Sequence, residues 1–241
     1  MIIVCADDET LVAQLPGSFL TYTIPMSKFR EFRGSLSPSE SRLFTRLNSP
    51  AKIQDFLNSL PFNHERHGET YMSPRRMIAA GRAHCFEGAL FAAAVLMYHG
   101  HKPLLLDLQT TSDDQDHVVA LFREGKYWGA ISKTNHAVLR FRDPVYASVR
   151  ELALSYFHEY FLSNGKKTMR AYSDPFDVSK LPIESWLTAE DDLIDMVNAL
   201  DESPHHDVVS KDLVKRLRKA DEIEIKTFDS VEWKRSGKRG T

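Results

Sequence analysis

A cysteine stands at the start of a long apolar run, and this junction constrains the fold more than any other feature of the sequence. From Cys85 to Tyr98, alanines and larger apolar residues recur at helical spacing, which predicts a buried helix. Gly100 then suits a left-handed C-terminal cap. A lone cysteine in an apolar helix is most often inert. However, the free N–H groups and partial positive charge of a helix N-terminus lower a thiol pKa, so this position favours a nucleophile.

Three strand-like segments follow this helix, and the second of them opens on a histidine. They are Lys102–Leu108, His117–Phe122 and Tyr127–Ile131, with a polar loop before the second and a tight turn before the third. A thiol at a helix N-terminus and an imidazole at a strand start come from distant parts of the chain. Such groups can meet in a folded catalytic site.

This order of elements resembles the transglutaminase-like superfamily, which shares a papain-like core with cysteine proteases. The resemblance covers residues 49–132 and is carried by GRAHCFEGALFAAAVLMYHG, DHVVALF and GKYWGAIS. It implies an α+β fold with a papain/transglutaminase-like core, in which the helix bearing the cysteine packs on an antiparallel sheet, together with C-terminal helices. It also implies that Cys85 is the nucleophile and His117 the general base.

The residue that would orient the imidazole departs from the family pattern. The family usually places an aspartate shortly after the tryptophan of the third strand, and Ser132 stands there in this chain. A serine can accept a hydrogen bond from the ring but brings no charge. Asn135 is the preferred alternative, since an asparagine orients the histidine in papain-like proteases, and Asp143 is a more remote one. Asp116 would point away from its neighbour His117 on an extended strand.

The segment before the cysteine offers further residues of a cleft. A helix capped by Ser49 precedes the polar loop 62–72. In papain-like arrangements this region can supply an oxyanion-hole donor, which makes Asn63 and His64 candidates, although a solvated loop is the preferred interpretation. His84 is interpreted as a neighbour that shapes the site. Glu87 is expected as a first-turn carboxylate that suits the helix dipole, with a polar position inside the cleft as the alternative.

The chain divides by pattern into three parts. Residues 1–48 form an N-terminal segment of unclear role, residues 49–165 the core, and residues 166–241 a helical extension packed on the core. Residues 33–40 suggest a loop. Helices are predicted by apolar and aromatic periodicity at three later places. These are Ser148–Phe161, Ile183–Leu200 and Val208–Ala220.

Composition excludes several classes of function. A net charge of −2 gives no electrostatic reason to expect nucleic acid or an acidic membrane as a partner. The chain contains no apolar run long enough to span a bilayer. Two cysteines, Cys5 and Cys85, do not make a disulfide framework, and the first residues lack the basic region of a secretory signal. A cytoplasmic location is the prediction that follows.

Histidine and cysteine side chains also raise the question of a metal. Zinc accepts both types of ligand, but the chain lacks the spacings typical of zinc sites. Cys85 and His99 would lie at opposite ends of one helix, about 20 Å apart at its rise per residue. They cannot share an ion, so neither a metal nor another cofactor is predicted.

The residues and the resemblance together predict a cysteine hydrolase or amidase with a Cys85–His117–Asn135 site. The thiolate would attack a peptide or carboxamide carbonyl of a peptide or protein substrate, and a thioester would form. Water would then complete a hydrolysis, whereas an amine would complete a transamidation; hydrolysis is preferred. The alternative is a non-catalytic transglutaminase-like module that binds a protein in its cleft. The oligomeric state is left open.

Overall fold

A computed structural model describes residues 2–4, 10–13, 22–66, 68–234 and 238–239. Cys5 lies outside these residues. Near the N-terminus, three short antiparallel strands form a small sheet in the order β1-β2-β3. Their bounds are β1 Ile2–Val4, β2 Thr10–Ala13 and β3 Tyr22–Pro25.

The main sheet is antiparallel throughout its described pairs. Its order is β10-β8-β4-β5-β6-β7, with β9 paired to β4 beside β8. The strands are β4 Leu104–Gln109, β5 His117–Glu124, β6 Tyr127–Ser132, β7 Arg142–Tyr146, β8 Ala171–Ser173, β9 Phe176–Asp177 and β10 His205–Asp207. The predicted α+β class, with helices on an antiparallel sheet, is confirmed.

Ten α-helices accompany the sheets in the described part of the chain. They are α1 Met26–Ser35, α2 Pro38–Arg46, α3 Pro50–Ser59, α4 Pro74–Ala80, α5 Cys85–Tyr98, α6 Val149–Leu154, α7 Glu184–Leu187, α8 Ile194–Asp201, α9 Lys211–Val214 and α10 Glu222–Ile225. Short 3-10 turns occupy Phe157–Glu159, Val178–Lys180 and Lys226–Asp229. None of the helices described has the length and apolar character needed to cross a membrane.

Helix α5 is the centre of the core. Every residue from Phe86 to Met97 is buried, as expected for a helix that is apolar all round. It packs on β5, and Leu105, Val118 and Ala120 belong to the same apolar cluster.

The alternate side chains of the sheet form a second apolar cluster on its other face. Leu106 and Val119 pack there with Leu152 of α6 and with Tyr156, because successive side chains of a strand point to opposite faces. The sheet is therefore covered on both faces, and α5 cannot shift without disturbing it.

Residues 33–40 are not a loop. The segment contains the end of α1 and the start of α2, with only a brief break between them. Ser37 accepts a hydrogen bond from the backbone N–H of Glu40, and the Glu40 carboxylate accepts one from the Ser37 N–H. This capping box, followed by Pro38 at the first helical position, begins α2.

The three long helices predicted after residue 148 are all shorter in the structure. Within Ser148–Phe161, α6 ends at Leu154, and the guanidinium of Arg142 donates to the Ser155 carbonyl. Within Ile183–Leu200, two helices flank a break where the Leu193 N–H donates to the Tyr71 carbonyl at 2.9 Å. Tertiary hydrogen bonds thus take groups that a continuing helix would use.

The third helix is a single turn for a different reason. Only α9 forms within Val208–Ala220. Lys211, Lys215 and Lys219 follow one another at four-residue spacing, where like charges repel on a helix. The segment after residue 166 instead contributes β8, β9 and β10 to the main sheet. His205 of β10 reaches Asp107 of β4 at 3.1 Å, across the intervening strand.

A glycine lets α5 approach the chain that follows β6. A Cβ added to Gly88 would lie 2.4 Å from the Cβ of Lys133. Gly88→Ala is therefore expected to lower the free energy of unfolding by about 1–3 kcal/mol, the usual cost of overpacking a core. Urea denaturation measures this change.

Gly34→Ala is the matched control. Gly34 lies in α1, and nothing stands within 4 Å of its added Cβ. Alanine is expected to raise stability there by up to about 1 kcal/mol through helix propensity alone. Unchanged stability in Gly88→Ala would show that α5 does not approach Lys133 this closely.

Candidate active site

Cys85 is the first residue of α5, at the point where the helix meets the preceding loop. Helix α4 ends at Gly81, whose φ of 61° is the left-handed conformation that favours glycine. The chain is then tied down by two backbone hydrogen bonds of Ala83, one to the Pro61 carbonyl and one from the Asn63 N–H. These contacts place the thiol, which is partly exposed, at the positive end of a buried helix.

His117 opens β5 and is brought to the thiol by the packing of α5 on the sheet. The hydrogen-bonding capacity and charge of His117 help to lower the pKa of the Cys85 thiol. The other side of the ring faces Ser132, with 2.8 Å between His117 Nε2 and Ser132 Oγ. The Ser132 hydroxyl donates to the Leu139 carbonyl at 2.5 Å. Its oxygen therefore accepts from Nε2–H, so Nδ1 is the nitrogen without a hydrogen when the His117 ring is neutral.

Two further contacts hold Ser132 in this position. Gln54 of α3 binds its backbone on both sides: the Ser132 N–H donates to Gln54 Oε1 at 2.9 Å, and Gln54 Nε2 donates to the Ser132 carbonyl at 2.7 Å. Leu139 has a φ of 60°, a backbone conformation that is uncommon for residues other than glycine. Its N–H is bound by the Glu159 carboxylate at 2.7 Å, which aids in fixing this loop. No pattern in the sequence predicted this role of Gln54.

The other orienting candidates lie elsewhere. The side-chain amide of Asn135 donates to the Trp233 carbonyl at 3.0 Å and accepts from the Trp233 N–H at 2.8 Å, so it fixes the C-terminal segment. Asp143 is exposed on β7. Asp116 accepts from the backbone N–H and the hydroxyl of Thr110 and closes the loop before β5. The contact on the His117 ring therefore comes from Ser132 and not from Asn135.

His84 lies against the sulfur from the opposite direction. It is the N-cap residue of α5, and its ring is buried. Nδ1 lies 3.9 Å from the sulfur of Cys85, whereas Nε2 lies 2.6 Å from the Thr70 carbonyl oxygen. A carbonyl can only accept, so Nε2 carries a hydrogen.

Glu87 is a carboxylate in the first turn of α5, as expected, and it has no exposed surface. Its carboxylate accepts from the backbone N–H of His84 at 3.0 Å and from the Thr70 hydroxyl at 3.0 Å. The side-chain amide of Asn63 donates to both of its oxygens and to Thr70. Asn63 is thereby committed to Glu87, and the ring of His64 packs against that of Phe62.

The two histidines set the charge state of the thiol. Burial raises the pKa of Cys85, but hydrogen bonds and charge from His117 and His84 outweigh it and bring that pKa well below its usual range. Burial lowers the pKa of His84, but the hydrogen bond and charge of Cys85, the charge of Glu87 and the Thr70 carbonyl raise it to about 9. Both effects favour a thiolate beside an imidazolium near neutral pH.

A buried lysine adjoins the site. Lys133 follows Ser132 and is fully buried, and its ammonium donates to the carbonyls of Leu57 and Leu60 at the end of α3. Burial lowers its pKa to about 8. This cation at a helix C-terminus couples α3, which carries Gln54, to the chain that carries Ser132. Among the residues described, no three histidine, cysteine or acidic side chains are grouped so as to hold a metal ion.

The similarity of this chain to known proteins is limited. No family model matches the chain, and no curated protein matches it. Two structures of LapG from Legionella pneumophila are similar to part of it. The calcium-bound form has 16% identity over 45% of this chain and 71% of LapG, with a TM-score of 0.32. The EGTA-treated form has 13% identity over 66% of this chain and 92% of LapG, with a TM-score of 0.35.

The identity of the orienting residue is open to a direct test. In its neutral form, wild-type His117 is expected to carry its hydrogen on Nε2, since Ser132 accepts from that nitrogen. Ser132→Ala is expected to mix the two tautomers, because the Nε2–H loses its acceptor. Nitrogen-15 NMR of the imidazole distinguishes these states.

Asn135→Ala is the matched control for this test. Its amide contacts Trp233 and not the ring, so the tautomer of His117 should not change. A mixture of tautomers in Asn135→Ala, with no change in Ser132→Ala, would show that Asn135 orients the ring.

Proposed function

We propose that the protein is a transglutaminase-like cysteine hydrolase that cleaves a peptide or carboxamide bond through Cys85. The observations that carry this proposal are the place of Cys85 at the N-terminus of α5 and the 2.8 Å contact of His117 Nε2 with Ser132 Oγ; His117 also helps to lower the pKa of the Cys85 thiol. A nucleophile, a base and a residue that orients the base are the three parts that such chemistry requires.

The chemistry follows from the protonation states. The proton of the thiol passes to Nδ1 of His117, and the thiolate attacks the carbonyl carbon. The start of α5 directs backbone N–H groups toward the oxyanion that forms. The carbon–nitrogen bond then breaks, and the leaving amine takes the proton from His117. A thioester on Cys85 remains.

Resolution of the thioester requires the same histidine in its neutral form. His117 takes a proton from the incoming nucleophile, which attacks the thioester and releases the thiol. We propose water rather than an amine as that nucleophile, since water needs no binding site of its own. Asn63 takes no part as an oxyanion donor in this mechanism, because its amide is bound to Thr70 and Glu87.

A binding module without catalysis is the competing function. The serine in place of an aspartate favours it, since the imidazolium of His117 then lacks a charged partner. The contacts around Ser132 support the enzyme instead. Two hydrogen bonds between Gln54 and the Ser132 backbone fix the residue, and its hydroxyl, which donates to the Leu139 carbonyl, contacts the His117 ring.

p-Nitrophenyl acetate tests acyl transfer without knowledge of the natural substrate. The wild type is expected to release a burst of nitrophenolate and to become acetylated at Cys85, followed by slower turnover. In His117→Ala the burst should persist, because nitrophenolate leaves without a proton. Deacylation should slow by about 10²–10⁴-fold, the usual contribution of a general base. Absorbance and mass spectrometry follow the two steps.

Two variants serve as controls. Cys85→Ala should show no burst, and His158→Ala, which alters an exposed histidine, should behave as the wild type. A wild-type protein that is not acetylated at Cys85 would favour the binding module. Equal turnover in His117→Ala and the wild type would exclude His117 as the base.

A further inference from the structure

The site contains two imidazoles but gives a buried carboxylate to only one of them. His117 has the uncharged Ser132 hydroxyl on its outer nitrogen. His84 has the Glu87 carboxylate 3.4 Å from its outer nitrogen and that of Glu65 at 3.7 Å. In a cysteine site the carboxylate usually stabilises the imidazolium of the base. Here the carboxylate is that of Glu87. It belongs to α5, the helix that carries Cys85, and it lies next to His84.

The geometry of His84 is fixed at three points. Its backbone N–H is bound by Glu87, and its ring nitrogens face the Thr70 carbonyl and the sulfur of Cys85. The Tyr71 ring packs on it edge to face. Since Nε2 is a donor to Thr70, a hydrogen on Nδ1 would make the ring a cation directed at the sulfur.

Glu87 needs a positive partner as much as His84 needs a negative one. An ionised carboxylate that is fully buried is costly unless it is paired and hydrogen-bonded. The ion pair that the structure gives it is with His84. A single change at either residue would therefore leave a buried charge, or a buried polar group, without its partner.

We propose that His84, supported by Glu87, provides the positive charge that maintains the Cys85 thiolate, while His117 is the residue that moves protons. This inference rests on the proposed function and assigns a role within that same site. His84 keeps both ring hydrogens throughout the reaction. The thiol proton goes to His117 and from there to the leaving amine, so the protons balance. Glu87 acts through His84 and is a positioning residue.

The charged and titratable groups that face His84 come from several elements. Cys85 and Glu87 belong to α5, Glu65 and Tyr71 to the loop before α4, and Asp192 to the segment between α7 and α8. The acidic groups all favour the imidazolium. Cys85 and Glu87 contribute most to raising the pKa of His84 to about 9, whereas burial lowers it.

Alkylation of Cys85 by iodoacetamide as a function of pH, followed by mass spectrometry, separates the two histidines. At about pH 6, where an ordinary thiol is almost wholly protonated, the wild type is expected to react. His117→Gln should keep most of this reactivity, although it loses the contribution of His117 to the lowered thiol pKa. His84→Gln should react at least tenfold more slowly at that pH and recover at high pH. Glu87→Gln should lie between them. Glu87→Asp, which keeps the charge, should be closer to the wild type.

The opposite result overturns the proposal. If His117→Gln loses its reactivity at low pH while His84→Gln keeps it, the positive charge belongs to His117. That result would leave the proposed function intact, because the acetylation burst at Cys85 would remain. A wild-type thiol that reacts only above about pH 8 would overturn both, and the burst would then be absent as well.

A second measurement avoids variants that disturb the buried pair. NMR titration of His84 in the wild type is expected to show an imidazolium through neutral pH. In Cys85→Ala the His84 pKa should fall, because two coupled groups shift each other reciprocally. Neutral His84 at pH 7 in the wild type, or an unchanged pKa in Cys85→Ala, would contradict the proposal.

Discussion

The burial of α5 on all sides is the constraint on which the rest of the structure depends. Its residues from Phe86 to Met97 are enclosed by the sheet on one side and by other helices around it. Because the helix is apolar apart from Glu87 in its first turn, only its ends reach polar surroundings. Cys85 therefore has a fixed position at the N-terminus, and His117 is brought to it by the sheet on which the helix packs. The reactive pair is a consequence of core packing.

The polar groups of the site are organised in two separate networks. One runs from Gln54 through Ser132 to His117, and the other from Asn63 through Glu87 to His84. Buried polar networks of this kind stabilise a fold only when their members are satisfied. Both end at the sulfur of Cys85, so the two imidazoles approach it from different directions and can hold different protonation states.

Much of this was predictable from local patterns. The apolar run that forms α5 and the short apolar runs of β4, β5 and β6 are strong signals, and they placed Cys85 and His117 correctly on a helix start and a strand start. The breaks after residue 148 were not predictable, since they depend on contacts with distant residues such as Tyr71. No local pattern reveals which group will form a hydrogen bond with a backbone group far along the chain.

Ser132 is an intermediate case. The hairpin after β5 has Glu124 opposite Tyr127, so Gly125 and Lys126 form a two-residue turn. Such a turn fixes the register of the two strands. Pairing residues outward from the turn places Ser132 opposite Val119, and so diagonal to His117 on the same face of the sheet. Asn135 lies beyond the end of β6 and has no such relation. The burial of Glu87 could be suspected from its place three residues after a helix cap, where a carboxylate reaches back to the cap N–H.

The central claim is that Cys85 is a thiolate near neutral pH. The ultraviolet absorbance of the thiolate, recorded against pH for the wild type with Cys85→Ala subtracted, measures this directly in the unmodified protein. Subtraction removes the contribution of Cys5. The structure predicts a titration midpoint well below the value of about 8.5 typical of a free cysteine, whereas a midpoint near that value would contradict it.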